Sequence, residues 1–214
     1  MSSSIIGIGQ SALAAAQAGL ATTGHNIANA STPGYSRQMI VQGSAGAQFS
    51  GVGYIGKGTE VVDVRRIYNE LLASQVRSAQ TSQNQVATYH AQLSRINNQF
   101  GDPSAGLSPA MQGFFAGIQD LASNPSLGAS RQSALSSAET LAARFQALDG
   151  QLKELEQGVN SQVLSTITTI NTYAQQIAKL NDAIEKSRSI GNGQVPNDLL
   201  DQRDYALEQL SKQT

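Results

Sequence analysis

Apolar residues recur at steps of three and four along most of the chain, and this spacing predicts five helices. Over residues 4–30, Ile5, Ile8, Ala12, Ala15, Gly19, Thr23 and Ile27 fall on one stripe, with Leu13 and Leu20 beside it. The stripe is rich in small residues and offers little apolar area, so the helix is marginal alone and needs a partner helix. Over residues 68–100, Leu72, Ala79, Val86, Leu93 and Phe100 recur every seventh residue, with Val76, Gln83, His90 and Asn97 on the interleaved seam. One apolar seam and one mixed seam describe a helix packed in a bundle. Gly101-Asp102-Pro103 ends it. Ser108 as N-cap and Pro109 as first helical residue start a short helix over 109–123, and Asn124-Pro125 stops it. Its apolar face is Met111, Phe114, Phe115, Ile118 and Leu121.

The longest element is predicted over 129–189. Its seam includes Leu148, Leu152, Leu155, Val159, Val163, Ile170, Ile177 and Leu180. Two successive steps of four around Val159, beside Gly158, form a stutter that locally unwinds a left-handed supercoil. About 60 residues at ~1.5 Å each make a rod of roughly 90 Å. Residues 189–196 break the pattern, and Asn197 is placed to cap a last helix over 197–212 that docks back through Leu200, Ala206 or Leu207, and Leu210. Residues 42–58 carry six glycines and exclude a helix. Thr59-Glu60-Val61-Val62-Asp63-Val64 alternates and is β-branched, so it reads as a strand able to pair with residues 37–41 across the glycine loop. A loop of that length is functional or mobile. The fold class is therefore mainly α, an elongated, coiled-coil-like bundle with a very long helix and a small β-ribbon near the N-terminus. Two parts follow: residues 1–65 and an α-helical bundle over 66–214.

Composition narrows the chemistry. The 214 residues carry 14 Lys+Arg against 15 Asp+Glu, for a formal charge of -1, so no basic field attracts nucleic acid or anionic membrane. Only 40% of residues are hydrophobic and 5% aromatic, enough for amphipathic helices and too little for a large compact core. There is no cysteine, which removes disulfides, thiolate catalysis and thiolate metal sites. The start Met1-Ser2-Ser3-Ser4-Ile5-Ile6-Gly7 lacks the basic and apolar regions of a secretory signal, and no segment is expected to span a membrane. His25 and His90, the two histidines, have no carboxylate pair or serine at motif spacing, so no enzyme, metal or cofactor site is expected. Residues 51–58 look superficially like a phosphate cradle but precede a strand, whereas such cradles open a helix. Asp201, Arg203 and Asp204 form a charge cluster that is either a solvated face or a bridge from Arg203 to another helix or subunit.

The most specific string closes the first helix: His25-Asn26-Ile27-Ala28-Asn29-Ala30-Ser31-Thr32-Pro33-Gly34-Tyr35-Ser36-Arg37. Pro33 and Gly34 make Thr32-Pro33-Gly34-Tyr35 a tight turn, and Asn26 and Asn29 can bond the backbone groups freed at the helix end. This string, with Arg37 at its end, resembles the N-terminal signature of the flagellar axial family: rod, hook and hook-associated proteins. The helix order, Tyr173-Ala174-Gln175-Gln176-Ile177-Ala178-Lys179-Leu180-Asn181 and Asn197-Asp198-Leu199-Leu200-Asp201-Gln202-Arg203-Asp204 resemble the hook-associated protein 1 family in particular.

That resemblance covers the whole chain and implies an extracellular, non-catalytic structural protein of the flagellum at the hook–filament junction. It implies export by the flagellar type III apparatus without a cleaved signal. The implied partners are copies of the chain itself, the hook protein, the next hook-associated protein on the filament side, and an export chaperone acting on a C-terminal region. Residues 1–65 would form the inner layer, with Ile5, Ile8, Leu13, Leu20 and Ile27 in helix–helix contacts. Members of the family also carry outer β domains and a C-terminal helix that returns to the N-terminal one; neither lies within these 214 residues, and the uncapped end at Thr214 suggests a fragment. Another axial protein, or a helical-bundle binding or signalling module unrelated to flagella, are the alternatives.

Overall fold

The computed structural model describes residues 2–100, 106–191 and 194–213. It is mainly helical, with a very long helix and a small strand region near the N-terminus. In chain order the elements are α1 (Ser2–Ala28), β1 (Gln38–Ser44), β2 (Ala47–Phe49), β3 (Tyr54–Gly56), β4 (Thr59–Arg66), α2 (Glu70–Phe100), α3 (Leu107–Ser123), α4 (Gly128–Ile190) and α5 (Asn197–Ser211). The predicted stop at Gly101-Asp102-Pro103 and the pair Asn192-Gly193 lie outside the described residues. The fold divides into two compact units, one of residues 1–81 with 170–214 and one of residues 82–169.

In the first unit β1 and β4 pair antiparallel from Gln38↔Arg66 to Ser44↔Thr59, with one bulge after Val41. The glycine-rich stretch is not an open loop. It contains a second hairpin, β2–β3, closed by a two-residue turn in which Gly51 takes φ 89° at the first central position, as a type II′ turn requires. Helix α1 lies on the β1–β4 ribbon through small residues. Ala15 is buried, Gly19 approaches Ile40 Cδ1, and Ser11 Oγ accepts the Thr59 N–H at 3.3 Å. This corrects the expected stripe by part of a turn. Ile8, Ala15 and Gly19 face the ribbon, while Ile6, Leu13, Leu20 and Ile27, spaced by sevens, face away and are 61%, 61%, 73% and 72% exposed. Ile5 is exposed as well. Small side chains let the helix backbone close on the strands; leucines there would hold it off.

Ile5–Ala28 is long and apolar enough, by length and mean hydropathy alone, to cross a membrane, where no segment of that kind was expected. Alanines raise its mean hydropathy without adding large apolar side chains. The polar ends of Ser11 and Asn26 bond the ribbon.

In the second unit α3 packs on the start of α4. Leu107 rather than Pro109 begins α3, and Gly106 rather than Ser108 is its N-cap; Pro109 is tolerated in the first turn because its missing N–H has no partner there. A Cβ added at Gly117 would stand 2.6 Å from Ser137 Oγ and 3.3 Å from Ala134 Cα. Gly117→Val is therefore expected to cost about 1–3 kcal/mol, read as a lower melting temperature, while Gly113→Ala, with open space around it, should not destabilise. Phe114 is half-buried, and Phe115 is exposed with its ring edge-on to Phe114.

The α4 seam is uneven. Leu148, Leu155, Ile170, Ile177 and Leu180 are half-buried, whereas Leu152, Val159 and Val163 are exposed. Polar groups share the interior of this unit: Gln92 Oε1, Arg144 Nε and Gln151 Oε1 are buried without a hydrogen-bond partner. Leu152, at 52% exposed, should lose only about 1 kcal/mol on change to alanine, below the ~2–5 kcal/mol of a buried leucine. A denaturant titration measures that difference. No large side chain is fully buried among the described residues, as the low hydrophobic fraction anticipated.

Candidate functional site

The signature string folds into a turn that α5 holds from the other side. Tyr35 N–H donates to Thr32 O at 3.2 Å, and Gly34 takes φ 79° after Pro33, the arrangement of a type II turn. Asn26 reaches out from α1 and treats β1 as a strand would. Its Nδ2 donates to Gln38 O at 2.8 Å, and its Oδ1 accepts the Gln38 N–H at 2.8 Å and the Tyr35 hydroxyl at 2.6 Å. Asn29 closes the helix end as the residue type suggests, donating to His25 O at 3.0 Å and accepting from Thr32 Oγ1 at 3.3 Å. The Tyr35 ring stands edge-on to His25 at 5.5 Å. Burial, with Asp198 and Asp201 nearby, raises the Tyr35 phenol above its ordinary value, so it stays a neutral donor.

Helix α5 answers with four polar side chains. Arg66, the last residue of β4, donates from Nη1 to Asp201 Oδ1 at 2.7 Å and to Asp204 Oδ2 at 2.9 Å. The three side chains are 9%, 7% and 11% exposed. Asp201 Oδ2 also accepts the Ser36 N–H at 3.0 Å, tying the turn to α5. The Arg66 guanidinium lies 4.7 Å from the Tyr68 ring centre. Burial works against its charge, yet the two carboxylates outweigh burial and hold its pKa above the ordinary value. Asn197 does not cap α5; Pro196 stands at that position, and the Asn197 amide donates to Val64 O at 2.6 Å. Gln38 Nε2 donates to Asp198 Oδ1 at 3.0 Å, and His25 Nε2 is 3.5 Å from the same oxygen.

The charge cluster therefore bridges elements through Asp201 and Asp204, with Arg66 as the opposite charge. Arg203 bonds only Asp204, its neighbour on α5, among the described residues. Arg37 is exposed, and its carbonyl accepts the Ile67 N–H at 2.7 Å. Residues 1–65 thus find partners within this chain. Sequence reasoning passed over Arg66. Its signal was position: Arg66 shares the inner face of β4 with Val64, and an arginine there requires buried counter-charge. Asp201 and Asp204, three apart on a helix, supply it on one face.

Among the described residues no group of three or more His, Cys, Asp or Glu side chains comes together to hold a metal. Chemically the arrangement is a clamp that fixes α1, the turn, the ribbon and α5 together.

A family model described as Flagellar hook-associated protein FlgK helical domain matches residues 93–214, more than half of the chain. The chain belongs to this hook-associated protein family. A second model, Flagella basal body rod protein, matches residues 6–35, which cover most of α1 and the signature turn. Among relatives, Flagellar hook-associated protein 1 of Salmonella typhimurium is 40% identical over 210 residues, 98% of this chain and 38% of that protein. The protein of the same name in Escherichia coli is 36% identical over 98% of this chain and 38% of its own length. In Bacillus subtilis the identity is 28% over 222 residues, 99% of this chain and 43% of the relative. The chain thus spans about two fifths of the length of the hook-associated relatives it matches.

Proposed function

We propose that this chain is the N-terminal part of a junction protein that joins flagellar hook to filament, acting as a structural adaptor without catalysis. One observation carries the reading: a clamped helix presents Ile6, Leu13, Leu20 and Ile27 to solvent at heptad spacing. Such a face is made to meet another helix. Residues 1–65 serve as the inner layer and residues 66–214 as the helical part outside it. The exposed residues of the α4 seam serve as further contact surface between subunits.

Copies of the chain meet one another through different faces, as a tube requires. The hook protein lies on one side and the next hook-associated protein on the other. Export proceeds through the flagellar type III route without a cleaved signal, aided by a chaperone that binds a C-terminal region, and neither nucleic acid nor membrane insertion takes part. The match of residues 6–35 to a rod model favours, as a second reading, a place lower in the axial structure.

Deletion of the gene in its host, followed by electron microscopy, tests both. Hooks without filaments, with flagellin lost to the medium, support the junction role. Cells lacking hooks move the protein to rod or hook, and normal flagella refute the reading.

A further inference from the structure

The β2–β3 hairpin is anomalous in physical terms. It projects beyond the β1–β4 ribbon, and the described hydrogen bonds of its tip run within the hairpin: Ser50 N–H and Oγ both donate to Gly53 O, at 2.8 and 2.9 Å. Ala45 N–H to Gly58 O at 3.1 Å and Lys57 N–H to Gly46 O at 3.0 Å continue the β1–β4 ladder into it, and a two-stranded ribbon is marginal in water by itself. Yet this one exposes Phe49, Val52, Tyr54 and Ile55, with Val52 98% exposed and the Phe49 and Tyr54 rings stacked edge-to-face at 5.5 Å. Both rings stand in the open.

The same unit holds a recess of about 600 Å³ between β4 and the segment leading into α5. Val61, Val64, Val195, Pro196 and Leu199 give it apolar walls, and Asp63, whose carboxylate is paired with Arg65 at 2.7 Å, and Asp198, which accepts from Gln38, also line it. It is large enough for two aromatic side chains, and its carboxylates suit a phenol hydroxyl. A chain cannot fill its own recess. Tyr54 precedes Val61 by seven residues and Val64 by ten, so extended strand carries the tip roughly 20–30 Å away.

We propose that the hairpin tip of one copy seats in the β4–α5 recess of the next copy. This rests on the assembly reading above and names a contact within it. The four tip side chains expose on the order of 400 Å² together, below the roughly 600 Å² that each partner of a stand-alone complex buries at the least. The occupant must therefore be a molecule already held nearby by other contacts, and a neighbouring copy in the assembly is such a molecule. Tip and recess lie at different places on the surface, so the contact is heterologous and propagates instead of closing a pair.

These 214 residues hold no cysteine, so paired thiols placed in them report the contact once any cysteine elsewhere in the full-length protein has been changed to serine. The full-length protein carrying Val52→Cys and Val195→Cys is assembled on host cells, oxidised, and run without reductant. The expected result is a ladder at multiples of the chain mass, with monomer only for either single variant. Normal flagella with no ladder, or a bridge confined to one chain, overturn the proposal while leaving the junction role intact. Phe49→Ser with Tyr54→Ser provides a second arm. The melting curve should hold, and cells bearing filaments should fall at least tenfold. An unchanged filament count also overturns it, whereas normal flagella in the deletion strain would strike the assembly reading itself.

Discussion

Arg66→Ala is expected to cost the protein about 3–5 kcal/mol, the penalty for leaving buried carboxylates without their counter-charge. The guanidinium neutralises Asp201 and Asp204 in a site where each side chain is nearly closed to water. Removing it leaves two like charges together, with only the half-exposed Arg203 to offset one of them. Thermal unfolding should register the loss as a drop of roughly 6–20 °C for a chain of this length. Arg203→Ala is the contrast. Its partner is adjacent on the same helix and its side chain is 32% exposed, so solvent screens the pair and the cost should stay below about 1 kcal/mol. Equal losses for the two arginines would show that burial does not set the strength of this cluster. Removing all the charges together, with Arg66→Met, Asp201→Asn and Asp204→Asn, should cost less than Arg66→Ala alone.

Leu13→Asp combined with Leu20→Asp is expected to abolish filament formation and leave the fold in place. Both side chains already face water, so little apolar burial is lost within the chain. In an assembled helix pair the same two aspartates would sit inside an apolar seam, where an unpaired carboxylate costs several kcal/mol. Circular dichroism of the purified variant should match the unmodified protein, and complemented cells should carry hooks and no filaments. Full motility would refute the assigned face. Ile8→Asp should behave differently. Ile8 lies against Gly58 on the ribbon side, so its replacement should harm the fold first.

The helices were legible because their evidence is local. A three-four spacing from Leu148 to Leu180, interrupted only by the stutter at Val159, points to one long helix, and α4 begins and ends within a residue of the expected bounds. The turn at Pro33-Gly34 was legible for the same reason: both residues restrict or widen φ by their own covalent chemistry. What periodicity could not give was direction. Ala15 and Leu13 are both apolar, and the pattern alone does not say that a β-ribbon will take the small face of α1 and leave the large one outside. The clamp was half visible. Asp201 and Asp204 stood out as charges, but Arg66 lies 135 residues from Asp201, beyond the reach of any window. Asn197 misled because an asparagine before a helix reads as a cap, and here a strand carbonyl competed for its amide.

The distance along the chain between the halves of that clamp has a kinetic consequence. Ser36 meets Asp201 across 165 residues, and Asn197 meets Val64 across 133. Closing loops of that length is slow, and each doubling adds roughly 0.6 kcal/mol of closure entropy. The second unit needs only residues 82–169, so its contacts become available as soon as those residues do. A chain emerging N-terminus first thus carries its signature turn without its carboxylate partner until α5 has emerged. Order of appearance, and not only final strength, sets when α1 is fixed in place.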